Sequence, residues 1–153
     1  MAFSFVPSAE SRDLADDIQE LFADLASTLK HEHRAFTGEC TPAVDVRETA
    51  QTLEIVVDVP GVPAQAIRVL FRSDVLLVAG EKAPPQTPDE QTYHLVEREF
   101  GRFARAIRVT GAYDIERATA TYDRGALVVV LPKMSDRRGQ AHRIPVTPPA
   151  DQP

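Results

Sequence analysis

Two hydrophobic periods divide the chain. Up to about Thr41, the apolar positions Leu14, Ile18, Leu21, Phe22, Leu25 and Leu29 recur every three or four residues, which places them on one face of a helix. Ser11 stands where an N-cap is expected, and Asp13, Asp16 and Asp17 follow it near the positive end of the helix dipole. Lys30 and His31 close the segment with the opposite sign. Residues 1–10 and 32–41 show no period and are expected to lack fixed structure. From Pro42 to Lys133 the period becomes two. In Leu53-Glu54-Ile55-Val56-Val57-Asp58-Val59 every odd position is apolar, so one face of a strand is buried. Pro60-Gly61 then turns the chain. Ile67, Val69 and Phe71 alternate with arginines, Ser73-Asp74 makes a tight connection, and Val75-Leu76-Leu77-Val78-Ala79 is apolar on both faces, as suits a sandwich interior. Further strands are predicted at Tyr93–Phe100, Phe103–Val109, Arg117–Asp123 and Ala126–Leu131. Short strands with turn signals and no helices between them argue for an all-β sandwich or barrel.

Two segments break this pattern. Glu81–Thr92 holds three prolines and almost no apolar surface, and reads as a long exposed loop. Residues 134–153 hold four more prolines and read as an extended, disordered tail, with one apolar island, Ile144-Pro145-Val146. The chain thus divides into an arm (1–41), a β domain (42–133) and a tail (134–153). At 153 residues it has the length of about one domain, enough to bury a core without disulfide or metal. The single cysteine, Cys40, cannot form an internal disulfide and fits a reducing compartment. The N-terminus lacks the basic and apolar regions of a signal peptide. The longest apolar run, Ala126–Leu131, is six residues, against the ~20 needed to span a bilayer. A cytoplasmic location is expected.

The net charge of −6 is uneven: residues 1–41 carry eight acidic against three basic side chains, whereas the β domain is nearly balanced. An acidic arm on a near-neutral body suits neither phosphate backbones nor anionic membranes. Sequence signatures of catalysis are absent: there is no GxSxG, phosphate-cradling loop, HExxH or CxxC. His31 and His33 lie in a polar linker, and Cys40 has neither an adjacent base nor a helix N-terminus to activate it. Arg98, Arg102, Arg105 and Arg108, interleaved with Phe100 and Phe103, could serve an RNA-binding strand. Glu97 and Glu99 flank Arg98, however, and ion pairs across a sheet or dimer surface are the preferred reading. Neither enzyme nor cofactor is indicated.

The β domain resembles the small heat shock proteins of the alpha-crystallin family, of bacterial type. The resemblance rests on Pro42-Ala43-Val44-Asp45-Val46-Arg47-Glu48, on Asp58-Val59-Pro60-Gly61-Val62, and on the run Tyr93–Arg105 with its Glu97-Arg98 and Phe100-Gly101-Arg102-Phe103 elements. It ends with Ala120-Thr121-Tyr122-Asp123-Arg124-Gly125-Ala126-Leu127 and the strand closing on Leu131-Pro132-Lys133. Departures are Val109-Thr110 in place of Leu-Pro, Arg124-Gly125 in place of Asn-Gly, and the proline-rich loop where bacterial members carry an exchanged strand.

This resemblance implies an immunoglobulin-like β-sandwich flanked by arm and tail. The implied function is that of an ATP-independent chaperone, a holdase that binds unfolding client proteins and prevents their aggregation. The apolar stripe of the arm would bind clients, having no partner in its own domain. Self-association would follow two routes. The edge around Val44 and Val46 would pair with a partner's Glu81–Thr92 loop, with Arg98 and Arg105 in ion pairs nearby. Ile144 and Val146, spaced by Pro145 so that both face one way, would enter a neighbour's groove lined by Val69, Phe71, Thr119 and Thr121. Two other readings stand beside this one: a sandwich-type co-chaperone docking one defined partner, and an RNA-binding stress protein.

Overall fold

The computed structural model describes residues 8–29, 40–86 and 88–135, and of residues 8–12 the backbone alone. One helix, α1 (Ser8–Leu29), precedes seven strands: β1 (Val44–Glu48), β2 (Thr52–Asp58), β3 (Ile67–Arg72), β4 (Val75–Lys82), β5 (Gly101–Arg108), β6 (Thr119–Asp123) and β7 (Ala126–Pro132). They form two antiparallel sheets, ordered β1-β2-β7-β6 and β3-β4-β5. Alternation decides which residues enter the space between them. Leu53, Ile55 and Val57 of β2 register with Leu131, Val129 and Leu127 of β7. Opposite them Leu76 and Val78 of β4, Ile67 of β3 and Phe103 of β5 complete one buried cluster. The fold is a β-sandwich.

The turns follow from local chemistry. Val59-Pro60-Gly61-Val62 closes with a bond from the Val62 amide to the Val59 carbonyl, and Gly61 supplies the φ of +78° that a type II turn requires at its third position. The two hairpins β3-β4 and β6-β7 each use a two-residue turn with both residues at positive φ: Ser73 and Asp74, then Arg124 and Gly125. That backbone matches the twist of the flanking strands.

Three expectations change. Helix α1 begins at Ser8, so Ser11 is inside it and is not its cap; the closing pair Lys30 and His31 lies outside the described residues. Residues 91–100 are not a strand. Their period-two pattern is real, but a strand also needs a neighbour's backbone groups, and among the described residues these have no ladder. The largest change concerns the arm. Its apolar stripe does have a partner in its own domain, because α1 packs on the outer face of β3 and β4. Leu25 is fully buried there, and Leu14, Ile18, Leu21, Phe22 and Leu29 are half-buried. The run Val75–Ala79 is therefore apolar on both sides for two different reasons. Leu76 and Val78 face the sandwich core, while Leu77 and Ala79 are buried on the side that α1 covers.

Candidate interaction surfaces

The first surface is the free edge of β1. Val44 and Val46 register with the buried Val57 and Ile55, so both point to the core side of their sheet. Val44 is half-buried, but Val46 is 50% exposed. Among the described residues no strand pairs with the outer side of β1, and the edge is open for pairing. The segment that carries the largest exposed apolar side chains is 91–100: Tyr93, Leu95 and Val96 are 59%, 74% and 66% exposed. Its end is fixed by Phe100, whose ring lies 5.0 Å from the Arg98 guanidinium and 5.6 Å from the Lys82 ammonium. Cation–π contacts of this kind hold the chain without a backbone ladder.

Arg105 is placed differently from Arg98. It projects from β5 opposite the buried Val78 and donates to the Pro42 carbonyl at 2.5 Å. It thus ties the entry of β1 to the other sheet through a carbonyl, where an ion pair was expected. The rest of the arginine series is also engaged. Arg102 pairs with the buried Glu81 at 3.6 Å and stacks on the Phe22 ring at 5.1 Å, and Arg108 has a partner too.

The second surface lies along β3 and β6, the edge strands of the two sheets. Val69 and Phe71 of β3 and Tyr122 of β6 pack, half-buried, against the core. Thr119 and Thr121 do not join them. They register with Val130 and Val128, on the outer face, whereas Ala120 and Tyr122 register with the buried Val129 and Leu127. The inward wall on β6 is therefore Ala120 and Tyr122. The one-residue shift follows from the period of two: which threonine-flanked face is inner cannot be read in so polar a strand. Ile144, Pro145 and Val146 lie outside the described residues.

The third surface is the one α1 covers. Arg72 meets Asp17 at 2.7 Å, and Arg68 meets Asp24 at 2.5 Å and Thr28 at 3.0 Å. The stripe reading found the apolar side of this helix but missed Arg68 and Arg72 as its partners. The signal was present in the doubly apolar β4, since a strand buried on both faces implies a cover on each.

No chemistry is assembled at Cys40. Its amide donates to the Arg102 carbonyl and its thiol lies 3.5 Å from the Gly101 carbonyl. Burial raises its pKa, with Lys82 opposing and Glu99 adding to the shift. A thiol held protonated is a poor nucleophile. At pH 8, alkylation of Cys40 should run slower than that of a free thiol and recover the free rate in denaturant; a native rate at or above the free one would contradict the assignment. Among the described residues no three His, Cys, Asp or Glu side chains group as a metal site would need, and no helix is long and apolar enough to cross a membrane.

The comparisons with known proteins fit this architecture. Residues 45–147 match the model of the Hsp20/alpha crystallin family, a span that reaches past Ile144-Pro145-Val146. Heat shock protein 16 of Schizosaccharomyces pombe is 31% identical over 119 residues, covering 76% of this chain and 83% of that protein. The solved structure of heat shock protein 16.0 from the same organism superposes with a TM-score of 0.61 at 30% identity, over 71% of this chain and all of that one. A small heat-shock protein from Xylella fastidiosa, described as having a distinct high order structure, gives a TM-score of 0.63 at 25% identity, over 71% of this chain and 98% of its own. With two antiparallel sheets in the same arrangement and a family match over most of its length, the chain belongs to the Hsp20/alpha crystallin family, the small heat shock proteins.

Proposed function

We propose that this protein is an ATP-independent holdase that captures unfolding proteins and limits their aggregation. The observation that carries this reading is the match of residues 45–147 to the Hsp20/alpha crystallin family, and the apolar surface the fold leaves open is in keeping with a protein that binds others or itself. Val46, Tyr93, Leu95 and Val96 are all half exposed or more, and exposed apolar groups concentrated in this way mark interaction sites. Holding needs no more than this, because binding unfolded chains lowers their free concentration. The test is light scattering from a heat-labile enzyme, without ATP, at increasing amounts of this protein. Suppression near equimolar subunits supports the reading; scattering unchanged at several-fold excess rejects it. The RNA reading loses its support, since Arg98, Arg102 and Arg105 are spent on Phe100, Glu81 and the Pro42 carbonyl.

Assembly supplies the second half of the proposal. β4 runs through Lys82, so Glu81 and Lys82 are not part of a free loop, and the proline-rich remainder has little to pair with. The segment from Tyr93 to Glu97 is the better donor for a partner's β1 edge, having strand-like alternation and exposed side chains. In the tail, Ile144 and Val146 would enter a neighbour's groove bounded by Val69, Phe71, Ala120 and Tyr122. Burying two such side chains gives ~3–5 kcal/mol before ordering costs, a weak and reversible link. Two variants separate the contacts by size-exclusion chromatography with multi-angle scattering. Leu95→Pro removes a ladder donor and should yield monomers. Ile144→Gly with Val146→Gly should stop assembly at dimers. Wild-type masses for both would exclude these contacts.

A further inference from the structure

We propose that the outer face of β3 and β4 is a binding site for an acidic amphipathic helix, that α1 is its resident occupant, and that α1 acts as a releasable latch over client-binding surface. The last clause rests on the holdase reading; the first two do not.

The fit is one of spacing as well as charge. Asp17 and Asp24 are seven residues apart, two helical turns and ~10.5 Å of rise. Arg72 and Arg68 are four residues apart on one face of β3, ~13 Å. The helix runs antiparallel to the strand, so Asp17 reaches Arg72 and Asp24 reaches Arg68. Between the two pairs lies the apolar floor, Leu70 and Leu77, and on the far side Arg102 covers the Phe22 ring. An acidic helix with an apolar stripe satisfies both the floor and the rim, and α1 is such a helix.

The contact is also built to open. The Asp17 side chain is 7% exposed and Arg72 is its ion-pair partner, and a buried carboxylate is tolerated only while it is paired. At this end Leu14, Asp17, Leu70, Val75 and Leu77 line a partly open pocket of about 40 Å³, so the margin of the contact is accessible to water. Ten residues join Leu29 to Cys40, a length that reaches up to ~33–36 Å when extended. The helix can therefore leave while the two sheets stay paired, giving up the burial of Leu25 and the contact of Leu29 with the core. Its departure would uncover two apolar faces together, the stripe of α1 and the floor beneath it.

Amide hydrogen exchange on the full-length protein reads the latch independently of any client. In Arg72→Ala the buried carboxylate loses its partner, and α1 amides should exchange at least tenfold faster while those of β2 and β7 keep wild-type rates. In the double variant Asp17→Leu with Arg72→Leu an apolar pair replaces the ionic one, and α1 amides should exchange more slowly than in wild type. Equal α1 rates in all three proteins would overturn the site. Protection of α1 that rises with protein concentration would place it on a second copy and overturn own-chain occupancy. In the scattering assay, client protection should rise in Arg72→Ala and fall in the double variant. If exchange shifts and protection does not, the latch has no role in holding; if wild type itself fails to protect, the holdase reading falls and the helix site stands.

Discussion

Gly80→Ala should lower the melting temperature by ~10–20 °C, or abolish folding. A Cβ at this position would lie 2.4 Å from Cζ of Phe103 and 2.7 Å from the Ala66 carbonyl oxygen. Phe103 belongs to the buried cluster, and Ala66 is fixed by a backbone bond to Pro63, so neither can retreat cheaply. Overpacking costs ~1–3 kcal/mol and more where backbone must move, and each kcal/mol is worth ~4–8 °C in a domain of this size. Its φ is ordinary, so crowding alone is the cause. Thermal unfolding followed by circular dichroism decides the matter, and a shift below ~3 °C would show that the Phe103 ring repacks.

Removing residues 1–39 should leave a folded sandwich that is stickier and less stable. The core cluster of β2, β4, β5 and β7 draws on α1 only through the half-buried Leu29, so the fold survives. Loss of α1 lays bare Leu70, Leu77 and Ala79, and a hydrophobic dye should bind several-fold more strongly than to the full chain. Loss of fully buried Leu25 is alone equivalent to ~2–5 kcal/mol of core contact, judged from large-to-small substitutions. Client protection should weaken, since the stripe of α1 is gone, yet remain measurable through the uncovered floor. Unchanged dye binding would show that the helix covers nothing of consequence.

The fold was largely legible because alternation is a strong signal where one face is buried. Leu53–Val59 and Ala126–Leu131 were placed within a residue for that reason. Legibility failed where the signal is ambiguous or depends on a distant partner. In Thr119-Ala120-Thr121 no hydrophobic contrast distinguishes inner from outer face, and the threonines expected on the inner side lie on the outer one. In Tyr93–Phe100 the contrast is present, but among the described residues no strand lies beside it to pair with its backbone. The docking of α1 depended on matching two features eighty residues or fewer apart, the excess apolar face of β4 and the unclaimed stripe of the arm. The ion pairs of Arg68 and Arg72 that fix its register need three-dimensional spacing, which a linear pattern does not contain.

The strand order β1-β2-β7-β6 has a consequence for the chain during its synthesis. β3 and β4 are joined by two residues and β1 and β2 by three, so each pair can form as soon as it emerges. β2, however, must find β7, and Thr52 pairs with Pro132, eighty residues later. Contacts this remote in sequence form slowly and late. Until the final strand leaves the ribosome, Leu53, Ile55 and Val57 have no opposing neighbours on that side, and the nascent chain presents an open apolar edge of the kind that aggregates. That condition lasts while the 74 residues from Val59 to Pro132 are added.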